Sequence, residues 1–211
     1  MADALTIFLH GLWGHGIELG MLRRRLEAAA GVRTVTFSYP TVRGGLKENV
    51  RRLLEFVRGQ RADQLHFVAH SLGGLVVLDA LGVTNDLPPG RAVLLGSPLQ
   101  GSCAAEGMRR VLPFGGAMLG TAYQDMVTNT PRQWSGRRDV GIIAGSMRFG
   151  LGRLFVDSKA ESDGTVLVCE TQLPGAKDHI VVRASHSGML FSPQVATQTV
   201  HFLEHGSFNR T

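Results

Sequence analysis

Cysteine is scarce in this chain, since Cys103 and Cys169 are the only two among 211 residues. They lie far apart in sequence, and neither belongs to a CxxC pair or a Cys/His metal-ligand spacing. The sequence therefore supports neither a disulfide framework nor a zinc site. We expect two reduced thiols in an intracellular protein, and no residue pattern calls for a metal ion or an organic cofactor.

Long apolar runs are also missing. No stretch approaches the roughly 18 uninterrupted apolar residues of a membrane span, because Asp79 and Asn85 interrupt the most apolar region. The N-terminus has no basic segment, and the apolar residues 5–9 are too few for the core of a signal peptide. These absences predict a soluble, cytoplasmic protein without stable membrane insertion.

Aromatic residues make up only 7% of the chain, and they are not interleaved with the arginines. The net charge is +5, but the basic residues are scattered along the sequence. A protein that grips nucleic acid needs stacking side chains among its basic residues, so we do not expect nucleic-acid binding. The excess positive charge would suit an anionic substrate or a lipid surface.

Short apolar runs alternate with segments of helical periodicity along the whole sequence. Near-continuous apolar strands are buried on both faces, which is typical of a parallel sheet covered by helices. The alternation predicts one doubly wound α/β domain over residues 1–211, with a mostly parallel sheet of about six strands flanked by helices. The predicted strands are residues 5–9, 34–37, 65–69, 92–95, 140–143 and 180–182.

Residues 101–138 interrupt this alternation. They contain Gly115 and Gly116, two prolines and several methionines, without a clear strand. Lids over active sites are often hinged and apolar beneath, so we expect this segment to form a small cap at the carboxyl edge of the sheet. An irregular pair of surface helices is the alternative.

The sequence AHSLGG, residues 69–74, separates two apolar segments. A serine in a tight turn between a strand and a helix has its hydroxyl lifted clear of the sheet, beside the free N–H groups of the helix N-terminus. The small residues Ala69 and Gly73 flank Ser71 at a distance of two positions, and Gly74 leaves room for helix packing. An ordinary strand–turn–helix junction is the alternative to a site for a nucleophile.

Five segments together resemble the alpha/beta-hydrolases of the lipase and esterase type. They occur in the order of that family and span nearly the whole chain, although the family usually has glycine where Ala69 stands. The resemblance implies the compact α/β-hydrolase fold, with Ser71 as nucleophile, Asp163 as acid and His186 as base. The segments are FLHGLWG (8–14), FVAHSLGG (67–74), LGSPLQGS (95–102), SDGTV (162–166) and SHSGML (185–190).

The acid and the base have rivals in the sequence. Asp163 lies in a polar turn in which Gly164 can adopt a positive φ, whereas Asp157 and Glu161 are nearby alternatives and Asp157 lacks such a turn. His186 lies in a loop of small residues that lets its ring reach a serine. We expect the competing histidines to be structural or solvent-facing: His66, His70, His179, His201 and His205.

By resemblance, two backbone N–H groups form an oxyanion hole. One belongs to Leu72, and the other to Leu12, with Trp13 as the alternative by one position. Leu12 and Trp13 would also form a wall of the acyl pocket. The segment GSPLQGS departs from the family's Thr-Pro-His-x-Gly-Ser, so Ser97 and Ser102 are treated as lining residues only.

These features predict a serine hydrolase that cleaves carboxylic esters through an acyl-enzyme. A thioesterase, an acyltransferase, or an amide or lactone hydrolase would use the same machinery, and a binding module without turnover is the alternative from another class. Apolar residues in the 101–138 segment favour a lipid-like ester over a small one. These residues are Met108, Leu112, Phe114, Met118, Leu119 and Met126.

Overall fold

The computed structural model describes residues 3–127, 132–155 and 159–210, and within them six strands form one sheet. The strands are β1 (Ala4–Leu9), β2 (Arg33–Phe37), β3 (Gln64–His70), β4 (Ala92–Leu95), β5 (Val140–Gly145) and β6 (Asp178–Val182). Their order across the sheet is β2-β1-β3-β4-β5-β6, and every neighbouring pair is parallel. The predicted doubly wound α/β fold is confirmed, and the sheet is parallel throughout.

Helices cover both faces of this sheet. On one face α1 and α7 pack against each other, and on the other face α2 packs against α3. Because side chains alternate along a strand, Ile7 of β1 joins the core beneath α2 and α3, whereas Phe8 joins the core beneath α1 and α7. These four helices are α1 (Gly20–Ala30), α2 (Leu46–Arg58), α3 (Leu72–Val83) and α7 (Pro193–His205).

The closing helix α7 has clear local signals at both ends. The Ser192 hydroxyl accepts a hydrogen bond from the Val195 N–H at 3.3 Å, and Pro193 occupies the first turn. Gly206 ends the helix in the left-handed conformation, with φ 76°. None of the helices among the described residues combines the length and apolar character needed to cross a membrane.

The 101–138 segment connects β4 to β5 and contains three short helices in its described part. The first begins at Cys103 and is capped by Ser102, whose hydroxyl accepts a hydrogen bond from the Ala105 N–H at 3.2 Å. The third is attached to α2, because the Leu46 N–H donates to the Asp125 carboxylate at 3.0 Å. The three helices are α4 (Cys103–Val111), α5 (Gly115–Leu119) and α6 (Ala122–Met126).

Candidate active site

Ser71 occupies a strained turn between β3 and α3. Its backbone has φ 54° and ψ −123°, a conformation that residues with a side chain rarely adopt. A Cβ atom at Gly73 would lie 2.7 Å from the carbonyl oxygen of His10, and one at Gly74 would lie 2.0 Å from a neighbouring side-chain oxygen. The expected need for glycine at these two positions is therefore confirmed by the packing of the turn.

Asp163 and His186 are hydrogen-bonded across the carboxyl ends of β5 and β6. The His186 Nδ1 is 2.7 Å from the Asp163 Oδ2 atom, and the His186 backbone N–H donates to the Asp163 carbonyl at 2.9 Å. The Asp163 residue is only 1% exposed. The two residues, which are 23 positions apart in sequence, thus form one hydrogen-bonded unit in which Asp163 is buried and His186 remains partly accessible.

The turn around Asp163 fixes the orientation of its carboxylate. Oδ1 accepts hydrogen bonds from the Thr165 N–H at 2.8 Å and the Val166 N–H at 2.7 Å, which leaves Oδ2 for His186. Gly164 has φ 95°, the positive value expected from the sequence. Of the two rivals, Glu161 is exposed to solvent, and Asp157 lies outside the described residues.

Ser71 and His186 line the same cavity. In the described part of the chain no hydrogen bond connects the Ser71 hydroxyl to the imidazole of His186. Hydrogen bonds between a nucleophile and its base are often long in free enzymes and tighten when substrate binds. The structure therefore brings the predicted serine, histidine and aspartate to one rim of the sheet, with the His–Asp contact formed.

The loop after β1 contains both candidates for the second donor of the oxyanion hole, the N–H groups of Leu12 and Trp13, and only one of the two is free. The Trp13 N–H donates to the Thr41 hydroxyl at 3.1 Å, so it is already engaged. The Leu12 N–H and the Leu72 N–H, the latter in the first turn of α3, make no hydrogen bond to another described residue. This difference favours Leu12 over Trp13 as the partner of Leu72.

His10 holds this loop in place. Its ring stacks on the Tyr39 ring with a centroid distance of 4.5 Å, and its Nε2 accepts the Tyr39 N–H at 3.3 Å. Nε2 is therefore unprotonated, and the Nδ1–H group donates to the Gly11 carbonyl at 3.0 Å. Burial lowers the pKa of His10, which keeps the ring neutral in this arrangement.

A cavity of about 700 Å³ opens beside Ser71. Its walls are mainly apolar, and Leu12 and Trp13 form part of them, as expected. Two details differ from the sequence expectation. Ser97 is fully buried against Gly74 and does not line the cavity, whereas Ser102 does. Phe114 is 76% exposed, while the other apolar residues expected from this segment line the cavity: Met108, Leu112, Met118, Leu119 and Met126.

Glu170 is a buried acidic residue that sequence reasoning missed. It is 5% exposed, and its carboxylate accepts hydrogen bonds from the Cys103 N–H at 2.5 Å and the Leu167 N–H at 2.8 Å. Burial raises the pKa of Glu170, and burial together with Glu170 raises the pKa of the Cys103 thiol to about 11. Glu170 therefore connects the start of α4 to the turn that follows Asp163, beside a thiol that stays protonated.

His70 lies closer to His186 than the sequence suggested. Its Nε2 is 3.0 Å from the His186 carbonyl oxygen, and the centroids of the two rings are 4.5 Å apart. Adjacency to Ser71 was the available signal, but side chains of neighbouring residues on a turn point apart, so no feature of the sequence pairs the two histidines. The other competitors contact groups away from Ser71: His66, His179, His201 and His205.

Comparison with known proteins identifies the family of this chain. The model of the family described as "Alpha/beta hydrolase family" matches residues 6–203. No curated protein sequence matches the chain.

Several solved structures share the fold at low sequence identity. The mature form of the Bacillus licheniformis lipase BlEst2 superposes with a TM-score of 0.74 at 18% identity, covering 96% of this chain and 91% of that one. The metagenomic carboxyl esterase MGS0156 superposes with a TM-score of 0.60 at 19% identity, covering 88% of this chain and 65% of that one. RedJ, a thioesterase from the prodiginine biosynthetic pathway of Streptomyces coelicolor, superposes with a TM-score of 0.59 at 12% identity, covering 97% of this chain and 84% of that one.

Proposed function

Because the chain belongs to the alpha/beta hydrolase family, we propose that it is a serine hydrolase that cleaves carboxylic esters through a covalent acyl-enzyme. The observation that carries this proposal is the hydrogen bond of 2.7 Å between His186 and the buried Asp163, with His186 on the cavity that Ser71 also lines. Serine is a poor nucleophile at its normal pKa, so it needs such an oriented base.

The reaction begins when the Ser71 hydroxyl oxygen attacks the ester carbonyl and its proton passes to Nε2 of His186. Asp163 accepts the Nδ1–H hydrogen bond, which selects the tautomer with a free Nε2 and stabilises the imidazolium that forms. His186 then donates the proton to the departing alkoxide. Water then attacks the acyl-enzyme carbonyl while His186 accepts its proton. The bond to the Ser71 oxygen breaks, His186 returns the proton to that oxygen, and the carboxylic acid leaves.

The negative charge of each tetrahedral intermediate requires two donors. We assign them to the Leu12 N–H and the Leu72 N–H, which have no other partner among the described residues. The positive end of the α3 dipole adds to the same stabilisation. Loss of one such donor typically lowers kcat by about 10²- to 10³-fold.

The shape and lining of the cavity support one class of substrate over another. Its mainly apolar walls and its volume of about 700 Å³ suit an acyl chain of medium or long length. We propose that the 101–138 segment is the cap of this cavity, because five of its large apolar side chains form part of the cavity wall: Met108, Leu112, Met118, Leu119 and Met126. Methionine side chains adapt to irregular apolar ligands, and three of the five are methionines.

A fluorophosphonate probe tests the assignment directly. We expect strong labelling of the wild type, mapped by mass spectrometry to the peptide that contains Ser71, and none of Ser71→Ala or His186→Ala. Ser102→Ala removes another serine hydroxyl of the same cavity and should still be labelled. Equal labelling of all four proteins would reject the proposal.

A substrate panel separates esters from the other acyl donors. Short and long p-nitrophenyl esters, thioesters and amides would be compared by kcat/KM. The triad acts on the carbonyl carbon and would also accept a thioester, so preference for thioesters would identify a thioesterase instead. Transfer to added alcohols faster than hydrolysis would identify an acyltransferase, and binding without turnover would identify a binding module.

A further inference from the structure

His70 is a buried histidine that the reaction described above does not use. It is the last residue of β3, directly before Ser71, and it is only 7% exposed. Its Nε2 lies 3.0 Å from the carbonyl oxygen of His186, and its ring packs on the His186 ring at 4.5 Å with an angle of 46° between the planes.

The charge and tautomer of His70 follow from these contacts. A carbonyl oxygen can only accept a hydrogen bond, so the Nε2 of His70 carries a proton. Burial, together with the neighbouring His186, lowers the pKa of His70 to about 3. His70 is therefore neutral at ordinary pH, and it does not oppose the positive charge that His186 acquires during the reaction.

The surroundings prevent His70 from swinging away. A Cβ atom added at Gly11 would lie 3.1 Å from the His70 Nδ1 and 2.9 Å from the Ser71 Cβ, so the loop after β1 passes close to both residues. The His186 ring also packs against the His70 ring, at a tilt of 46°. The ring of His70 is thus close to both the β1 loop and the His186 loop.

We propose that His70 is a positioning residue that fixes the His186 loop to the strand that carries Ser71. The His186 N–H donates to the Asp163 carbonyl, and the His186 carbonyl accepts from His70, so both backbone polar groups of His186 are bound. The bond from His70 is the one that connects the base to the nucleophile's own turn. This inference rests on the proposed function, in which His186 must reach Ser71.

Three substitutions of His70 separate the donor from the ring. In His70→Gln the amide nitrogen is the same number of bonds from Cα as Nε2, so the donor is retained. His70→Asn has the same amide one carbon nearer the backbone, and His70→Phe keeps a ring without a donor. We expect kcat within about fivefold of wild type for Gln, and about 10- to 100-fold lower for Asn and Phe with KM nearly unchanged, because a misplaced base slows only the chemical step.

A matched control lies in the same strand. His66 is equally buried in β3, at the opposite end from Ser71, and accepts a hydrogen bond from the Arg91 N–H. His66→Phe should lower thermal stability while leaving kcat unchanged. Proton NMR adds a readout independent of turnover: the far-downfield signal of the His186 Nδ1–H should persist in wild type and His70→Gln, and should broaden or vanish in His70→Asn and His70→Phe.

The outcomes distinguish a role of His70 in positioning His186 from a role in stability alone. Wild-type kcat and an intact downfield signal in folded His70→Asn and His70→Phe would overturn the proposal, as would a His70→Gln protein as impaired as His70→Phe. If the wild type hydrolyses no acyl substrate, the proposed function fails, but the NMR comparison still tests whether His70 holds His186 against Asp163.

Discussion

The replacement of Asp163 by asparagine gives the most demanding test of the site. The two side chains have nearly the same shape, so the packing around a residue that is 1% exposed is preserved. Only one oxygen becomes an NH₂ group. The consequence depends on which way the new amide faces, and the structure decides this.

Oδ1 of Asp163 accepts two backbone N–H groups, from Thr165 and Val166. An NH₂ group placed there would leave both donors unsatisfied, at about 1–3 kcal/mol each. The amide carbonyl therefore faces the turn, and the NH₂ group faces Nδ1 of His186. Nδ1 must then accept a hydrogen bond, which moves the ring proton to Nε2 and leaves no base for Ser71.

The expected loss is large and specific to the chemical step. Asparagine in place of a triad aspartate lowers kcat about 10⁴-fold in serine proteases, equivalent to about 5 kcal/mol of barrier height. We expect a similar loss for Asp163→Asn, measured as kcat on a p-nitrophenyl ester and as the rate of fluorophosphonate labelling, with little change in KM or in thermal stability. Glu161→Gln neutralises the exposed rival and serves as the control. A folded Asp163→Asn protein within tenfold of wild-type kcat would refute the tautomer argument.

Three further predictions concern stability and the 101–138 segment. Burial holds the pKa of His66 in the folded protein at about 4, whereas the unfolded chain has the usual histidine pKa of about 6.5. Between these two pH values the unfolded chain binds up to one more proton than the folded protein. The free energy of unfolding therefore falls as the pH is lowered through that window. His66→Gln should flatten the pH dependence of urea unfolding by up to about 1.4 kcal/mol per pH unit, and an unchanged slope would contradict the cause given. Gly74→Ala should lower the free energy of unfolding by about 1–3 kcal/mol, because the new Cβ would lie 2.0 Å from the Ser97 Oγ. The control is Gly82→Ala in the same helix, whose new Cβ meets no atom within 4 Å and should not lower stability. Equal melting temperatures of the two variants would contradict this prediction. If the segment covers the cavity, the rate on a long-chain ester should rise steeply once the substrate forms micelles, and a smooth saturation curve would argue against a cap.

The sequence predicted the fold well because the fold depends on patterns that are local. The four central strands are short, mainly apolar runs buried on both faces, whereas the edge strands β2 and β6 are only partly buried. The helix α7 has its Ser192 cap, its Pro193 and its Gly206 within a few positions of its ends. The turn at Ser71 is also local, since small residues on either side leave room for the serine. Signals of this kind are readable without knowing which strands are neighbours.

The parts that were missed depend on contacts between distant segments. Because Ser97 directly follows β4, the sequence predicts that it faces the cavity. In the structure α3 passes so close to β4 that Gly74 packs against the Ser97 hydroxyl. Phe114 has the same apolar character as its neighbours in the 101–138 segment, and only the direction of α5 turns it towards solvent. His70 contacts a residue 116 positions away, which no spacing rule along the chain could indicate.

The strained backbone of Ser71 is held by contacts on several sides. A serine at φ 54° costs on the order of 1–3 kcal/mol, and it persists only where neighbouring contacts leave no alternative. Here β3 is paired on both sides, the Ser71 N–H donates to the Leu95 carbonyl at 2.9 Å, and the loop after β1 closes over Gly73. The same contacts hold His70 in place. The backbone that turns the Ser71 hydroxyl outward therefore also positions His70. Through its hydrogen bond to the His186 carbonyl, His70 in turn fixes the loop that supplies the base.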